Sequence, residues 1–146
     1  MSTITKNFAL LIVCLLSFSF SASAQSVLGK WQTIDDATGK PKSVVEITQN
    51  NGVYSGKVVK ISDPERAKLN LKCEKCTDDR KNQSIVGLEI IRGMKPAGSE
   101  FDSGTILDPE NGKVYTSKMW LEGANTLKVR GYVGFFFRTQ TWTRIQ

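Results

Sequence analysis

The sequence predicts an all-β fold, a small antiparallel up-and-down β-barrel of about eight strands. Its apolar segments are short, rich in β-branched and aromatic residues, and bounded by turn residues such as glycine, asparagine and proline. No segment carries the long apolar period of 3.6 residues that an amphipathic helix requires. Eight strands joined by short hairpins can close on themselves, and closure removes the exposed edges that invite aggregation.

The predicted strands follow one another along the chain with recognisable turns between them. Asn51-Gly52 is the strongest hairpin signal, because both residues accept a positive φ in a type I′ turn. Residues 62–83 interrupt the rhythm, and Asp63-Pro64 within them is typical of a helix start, so we expect one short helical turn there. The predicted strands are 29–34, 43–49, 53–61, 85–92, 104–107, 113–121, 127–133 and 138–145.

Length and composition limit the functions that the chain can have. It has 146 residues, a formal net charge of +6 and no histidine. The length predicts one domain, since a domain typically comprises about 100–200 residues. Without an imidazole, a Ser-His-Asp triad, a Cys-His pair and histidine-ligated zinc are all excluded. Basic and acidic residues are interleaved, which argues against nucleic-acid binding, and no motif indicates a cofactor.

Residues 1–24 are predicted to be a cleaved secretory signal peptide. Lys6 supplies the positive charge, residues 8–20 are mostly apolar, and Ala22-Ser23-Ala24 is typical of a cleavage site. The apolar stretch is shorter than the roughly 20 residues that a membrane span needs, although an uncleaved anchor is the alternative. Without Lys6 the charge becomes +5. We therefore expect an exported monomer, periplasmic or extracellular, whose single barrel domain (25–146) has no transmembrane segment.

Cys73 and Cys76 are the two cysteines that remain after signal cleavage. In an oxidising compartment, the Cys-x-x-Cys spacing favours a local disulfide. A redox pair is the first alternative, but it requires a cysteine at a helix start in a βαβ setting. A zinc site is the second, but it requires four ligands, and neither a second cysteine pair nor a histidine is present. No metal site is therefore predicted.

Two family resemblances are carried by the residues of the predicted domain. Gly29-Lys30-Trp31 resembles the Gly-x-Trp of lipocalins and related calycins. The order of this motif, the Cys-x-x-Cys pair and the segments 85–95, 104–115, 127–134 and 138–144 is similar to the secreted bacterial domain-of-unknown-function family 2147. The first resemblance implies that Trp31 closes one barrel end beneath a basic side chain of the last strand, Arg144 or Arg138. The second implies a small exported barrel and no known activity.

Strand alternation places polar and aromatic side chains together near the C-terminus. Arg138, Gln140, Trp142 and Arg144 share one face of their strand, and Lys128, Arg130 and Tyr132 share one face of the preceding strand. We expect these two sets to form one face of the hairpin, either as a site for an anionic or sugar-like group or as a solvated outer wall. The candidate ligand-binding residues are Glu89, Tyr115, Arg130, Tyr132, Arg138 and Trp142.

The Phe135–Phe137 run is expected to be buried in the core or at a barrel end. The alternative is an apolar lip or a partner-binding patch. Glu89 lies in an apolar segment and is the best candidate for a buried carboxylate, with Arg92 or Arg130 as its partner. Three functions follow from these residues: a non-catalytic barrel that binds a small molecule or envelope component, a structural or protein-interaction module of the envelope, or a histidine-free enzyme.

Overall fold

The computed structural model describes residues 25–146, which form a closed barrel of eight antiparallel strands paired in sequence order. β1 pairs with β8, and this pairing closes the sheet. The all-β up-and-down prediction is confirmed. The predicted signal peptide, residues 1–24, lies outside the described residues. The strands are β1 (Gly29–Ile34), β2 (Pro41–Asn50), β3 (Val53–Ile61), β4 (Glu89–Ala97), β5 (Glu100–Asp108), β6 (Lys113–Leu121), β7 (Thr126–Val133) and β8 (Phe136–Ile145).

β4 differs most from its predicted bounds. It begins at Glu89 instead of residue 85, because Gly87 has a φ of 94° and the chain turns there before it enters the barrel. It also continues past Gly93 to Ala97, and Pro96 is tolerated because it pairs with Phe101 close to the end of the hairpin. The Asn51-Gly52 turn has φ angles of 50° and 77°, as a type I′ turn requires.

The long β3–β4 connection is organised as predicted by a helical turn and a disulfide. The helix α1 (Pro64–Ala67) begins where the Asp63 carboxylate accepts hydrogen bonds from two backbone N–H groups of its first turn. Cys73 and Cys76 form a disulfide. The buried Arg80 donates hydrogen bonds to Asp78 and to the carbonyl of Glu89, and so ties this connection to β4. No helix within residues 25–146 has the length and hydropathy needed to cross a bilayer.

One half of the barrel interior is filled by side chains. Two glycines let large neighbours meet in this half: a Cβ at Gly56 would touch Val45 and Ile91, and one at Gly104 would collide with Met94. The filled half lies at the end where the chain enters β1 and leaves β8. Its fully buried side chains include Trp31, Val45, Ile47, Ile91, Met94, Met119 and Leu127.

Candidate functional site

The other half of the barrel is hollow and opens at the opposite end. Because the strands run alternately up and down, the β1–β2, β3–β4, β5–β6 and β7–β8 connections all lie at this open end. These connections and the adjoining halves of the strands enclose a cavity of about 720 Å³. This volume is within the roughly 300–1,000 Å³ of small-molecule sites.

The inner wall of the cavity is mainly apolar. Every strand from β3 to β8 except β6 contributes an apolar residue to this wall, and β6 contributes the ring of Tyr115. The hydroxyls of Thr33 and Ser43, 2.8 Å apart, hydrogen-bond each other, so these polar groups are already satisfied. The apolar lining residues include Val58, Ile61, Ile90, Ile106, Val129 and Trp142.

A chain of hydrogen bonds runs along β8 from the cavity wall to the rim. The Trp142 indole N–H donates to the Gln140 Oε1 at 3.0 Å, and the Gln140 amide donates to the Asp36 carboxylate at 2.6 Å. Asp36 also forms an ion pair with Arg138. The β1–β2 turn, which carries Asp36, is thereby fastened to the start of β8 at the cavity mouth.

Charged side chains surround the mouth. Lys42 and Arg66 both reach the Glu110 carboxylate, at 3.1 and 3.3 Å. Hydrogen bonds from the Thr38 backbone and hydroxyl, followed by the charge of Lys42, hold the pKa of Asp35 below its usual value. Among residues 25–146, no carboxylate lies within 4.0 Å of the ammonium groups of Lys72 and Lys75, which also line the cavity.

The prediction that these polar residues share one face of the β7–β8 hairpin is wrong. Directly paired residues of antiparallel strands share a face, and Arg138 pairs with Gly131, whereas Arg130 pairs with Thr139. The set containing Arg138, Gln140 and Trp142 therefore faces the interior. The set containing Lys128, Arg130 and Tyr132 faces outward.

Three of the six candidate ligand-binding residues line the cavity: Tyr115, Arg138 and Trp142. Arg138 lies at the rim, Trp142 is buried in the wall, and the Tyr115 hydroxyl accepts a hydrogen bond from Asn111 at 3.1 Å.

The other three candidates, Glu89, Arg130 and Tyr132, lie outside the cavity. Glu89 pairs with Lys57 on the outer wall, and its carboxylate accepts a hydrogen bond from Arg92 at 2.6 Å. Its side chain is 28% exposed, so it is not the buried carboxylate that the enzyme hypothesis requires. The Arg130 guanidinium lies over the rings of Trp120 and Phe137, and the Tyr132 ring packs beside Phe137.

The filled end carries the contact that the lipocalin resemblance implies. The Arg144 guanidinium lies 4.2 Å from the centre of the Trp31 ring. Trp31 is fully buried, and its indole N–H donates to the carbonyl of Val27 at 2.9 Å. Arg138, the alternative partner, lies at the opposite end of the barrel.

Several residues that shape the cavity are not predicted from the sequence. Asp36 holds the rim through Gln140, and Lys72 and Lys75 reach the mouth from the β3–β4 connection. Gly131 adds no side chain to the interior, and a Cβ there would meet Ile106 and Tyr115 at 3.5 Å, an ordinary contact distance. A glycine inside a β-branched strand is the one sequence signal that marks such a position.

Comparisons with known proteins agree with this architecture. A family model described as "Uncharacterized protein conserved in bacteria (DUF2147)" matches residues 29–144. A solved structure, protein HP1028 of Helicobacter pylori, described as belonging to the lipocalin family, is similar with a TM-score of 0.73 at 19% identity. The similarity covers 84% of this chain and 85% of that chain, and it shows the shared fold. No curated protein matches the chain.

Proposed function

We propose that this chain, which belongs to the DUF2147 family of bacterial proteins, binds a small amphipathic molecule with an anionic group. The apolar part of the ligand occupies the hollow half of the barrel, and the anionic group stays at the mouth. The observation that carries this proposal is the cavity itself, with its apolar wall and charged rim.

The apolar wall supports binding of a hydrocarbon portion. Hydrophobic burial contributes about 25 cal/mol per Å² of apolar surface removed from water, so even a short alkyl chain gains several kcal/mol in such a cavity. Inside the barrel, the polar groups of Thr33, Ser43 and Trp142 already have partners. They therefore offer few free hydrogen-bonding groups to a polar ligand, so the cavity favours an apolar one.

The rim supports an anionic head group. Lys42, Arg66 and Arg138 are engaged by carboxylates of the protein, whereas Lys72 and Lys75 have no such partner among the described residues. These two lysines are among the residues that line the cavity, and they would pair with a carboxylate or phosphate of the ligand. Tyr115 lines the same cavity and offers its hydroxyl group to a ligand.

We further propose that the protein acts as a non-catalytic binder in the periplasm or outside the cell. The disulfide supports export, because disulfides persist in oxidising compartments. Glu89, the carboxylate candidate for acid–base catalysis, is ion-paired on the outer wall. Within residues 25–146, no three cysteine or carboxylate side chains are grouped as they would be around a metal ion.

Fluorescence quenching by an alkyl carboxylate that carries bromine on its chain tests the binding site. Trp142 lies in the cavity wall, Trp31 is enclosed at the filled end, and Trp120 lies on the outer wall, so a ligand in the cavity quenches Trp142 first. We expect saturable quenching that disappears in Trp142→Phe, while calorimetry still detects binding to that variant.

Two variants separate the cavity from the outer surface. Gly131→Leu places a side chain into the cavity from a position where no positive φ opposes the change, and it should weaken binding at least tenfold. Thr143→Leu is the matched control, because Thr143 is exposed on the outer face of the neighbouring strand. Equal affinity of wild type and Gly131→Leu would contradict the proposal.

The head-group specificity has its own test. Replacing Lys72 and Lys75 together by glutamine should weaken binding of the alkyl carboxylate several-fold, because charge-assisted contacts are lost. Binding of the corresponding methyl ester should be unchanged. If the ester and the carboxylate lose affinity equally, the two lysines do not recognise the charge.

A further inference from the structure

The β7–β8 hairpin ends in three exposed aromatic side chains. Phe135, Phe136 and Phe137 are 103%, 80% and 59% exposed, which overturns the expectation that this run is buried. Gly134 has a φ of 56° and, with Phe135, forms a two-residue turn between the paired residues Val133 and Phe136. We call Phe135–Phe137 the aromatic tip.

A cation lies directly beside the aromatic tip on the outer wall. The Arg130 guanidinium is 4.3 Å from the centre of the Phe137 ring and 4.9 Å from that of Trp120. Its Nε donates to the Thr139 hydroxyl at 2.7 Å. No carboxylate within residues 25–146 lies within 4.0 Å of this guanidinium, so its charge is not neutralised by the protein.

We propose that the aromatic tip docks the protein onto a bilayer that contains anionic lipids, with the rings entering the interface and Arg130 meeting a lipid phosphate. Aromatic and basic residues placed side by side are typical of surfaces that bind membrane interfaces. The positive net charge, +6 for the whole chain and +5 without Lys6, adds a general attraction toward an anionic surface.

The size and shape of the tip favour a bilayer over a protein partner. From the exposed fractions, the three rings offer on the order of 500 Å², given that one Phe buries 150–250 Å². A stable interface between proteins needs about 800 Å² from each partner. A bilayer needs no complementary surface, only apolar side chains that project.

The turn of the hairpin can enter the interface with its flanking backbone groups paired. Val133 pairs with Phe136, so the peptide groups on either side of the two-residue turn are hydrogen-bonded to each other. Because the tip and the cavity rim lie at the same end of the barrel, docking turns the cavity mouth toward the bilayer. This orientation would let an amphipathic molecule pass between lipid and cavity, but the docking itself does not depend on the proposed ligand.

Co-sedimentation with lipid vesicles tests the docking. The full-length chain is expressed in a bacterial host and purified, and its N-terminus is determined by mass spectrometry so that every variant begins at the same residue. Vesicles are either pure phosphatidylcholine or phosphatidylcholine with about one third phosphatidylglycerol. We expect binding to the mixed vesicles, reduced about tenfold or more when Phe135 and Phe136 are both replaced by serine.

Two further variants locate the contact. Arg130→Gln should reduce binding to the mixed vesicles and leave the weak binding to pure phosphatidylcholine unchanged. Ile145→Ser is the matched control, because Ile145 is a partly exposed apolar residue at the opposite end of the same strand. It should bind the mixed vesicles as wild type does.

A single Phe135→Trp variant, which keeps an aromatic ring at the tip, gives a second measurement that does not depend on lost binding. Its added fluorescence should be quenched by lipids brominated on their acyl chains. Failure of wild type to sediment with mixed vesicles would overturn the proposal, as would equal binding of the double serine variant. A dimer that dissociates in the double variant, with vesicle binding unchanged, would assign the tip to a second copy instead.

Discussion

Replacing Arg144 by alanine should lower the free energy of unfolding by loosening the filled end of the barrel. The loss should exceed that from replacing any other arginine that is not fully buried. The guanidinium lies over Trp31 and donates hydrogen bonds to three carbonyls, those of Ala124, Leu28 and Ser26, at 2.8, 2.8 and 2.5 Å. One side chain therefore holds the entry segment of the chain and the β6–β7 turn against the buried indole.

The magnitude follows from these contacts. A hydrogen bond from a charged donor contributes about 1.5–3 kcal/mol when buried and less at a hydrated site, and the cation–π contact adds about 0.5–2 kcal/mol. We take about 1 kcal/mol for each of the three hydrogen bonds, because the carbonyls can rehydrate. The expected loss in the free energy of unfolding is then about 3.5–5 kcal/mol, or a decrease in Tm of roughly 10 °C or more.

Urea denaturation followed by circular dichroism measures this loss. Arg66→Ala is the control, because Arg66 forms only an exposed ion pair with Glu110 and should contribute less than about 1 kcal/mol. Arg144→Lys keeps the charge but loses the forked geometry, and it should fall between alanine and wild type. If Arg144→Ala costs no more than Arg66→Ala, the closing role of Arg144 is refuted.

Three other predictions concern the β5–β6 turn and the β3–β4 connection. Gly112→Ala should be severely destabilising in thermal melts, because its Cβ would overlap the Lys75 carbonyl. Gly39→Ala is the control: Gly39 also has a positive φ but lies in open space, so this change should cost only about 1–2 kcal/mol. Equal losses in the two variants would contradict the close contact at Gly112. Replacing both Cys73 and Cys76 by serine should lower the free energy of unfolding by about 2 kcal/mol, the loop-closure entropy of a short disulfide loop. An unchanged Tm would show that the disulfide does not stabilise the fold. The hydrogen bond from Arg80 lowers the pKa of Asp78 to about 2, so the stability it contributes is present above about pH 4 and is lost as the pH falls toward 2; acid titration of Asp78→Asn should show a smaller loss over this window than wild type.

Much of the fold is predictable because its determinants are local. The Asn51-Gly52 turn, the Asp63 helix start and the Cys-x-x-Cys pair each act within a few residues, so the sequence shows them directly. The bounds of β4 are less predictable, since a glycine at positive φ and a proline within a strand resemble strand ends until their partners in the neighbouring strands are known.

The cavity could not be predicted because it depends on pairing between strands. Alternation along β8 correctly groups Arg138 with Trp142, but only the register with β7 shows that they share the interior with Gly131 and not with Arg130. Whether the interior is hollow depends further on which inward side chains are small and on how the β3–β4 connection packs over the mouth. These contacts join residues that are distant in the sequence, and the period of apolar residues does not reveal them.

Photo-cross-linking with an alkyl carboxylate that carries a diazirine on its chain tests the central claim, the amphiphile-binding cavity, most directly. After irradiation and proteolysis, mass spectrometry identifies the labelled residues. We predict saturable labelling of the inner wall, at Val58, Ile106 and Val129, which decreases in Gly131→Leu and is competed by unlabelled carboxylate. Labelling confined to the aromatic tip or spread over the outer wall, without saturation, would contradict the account.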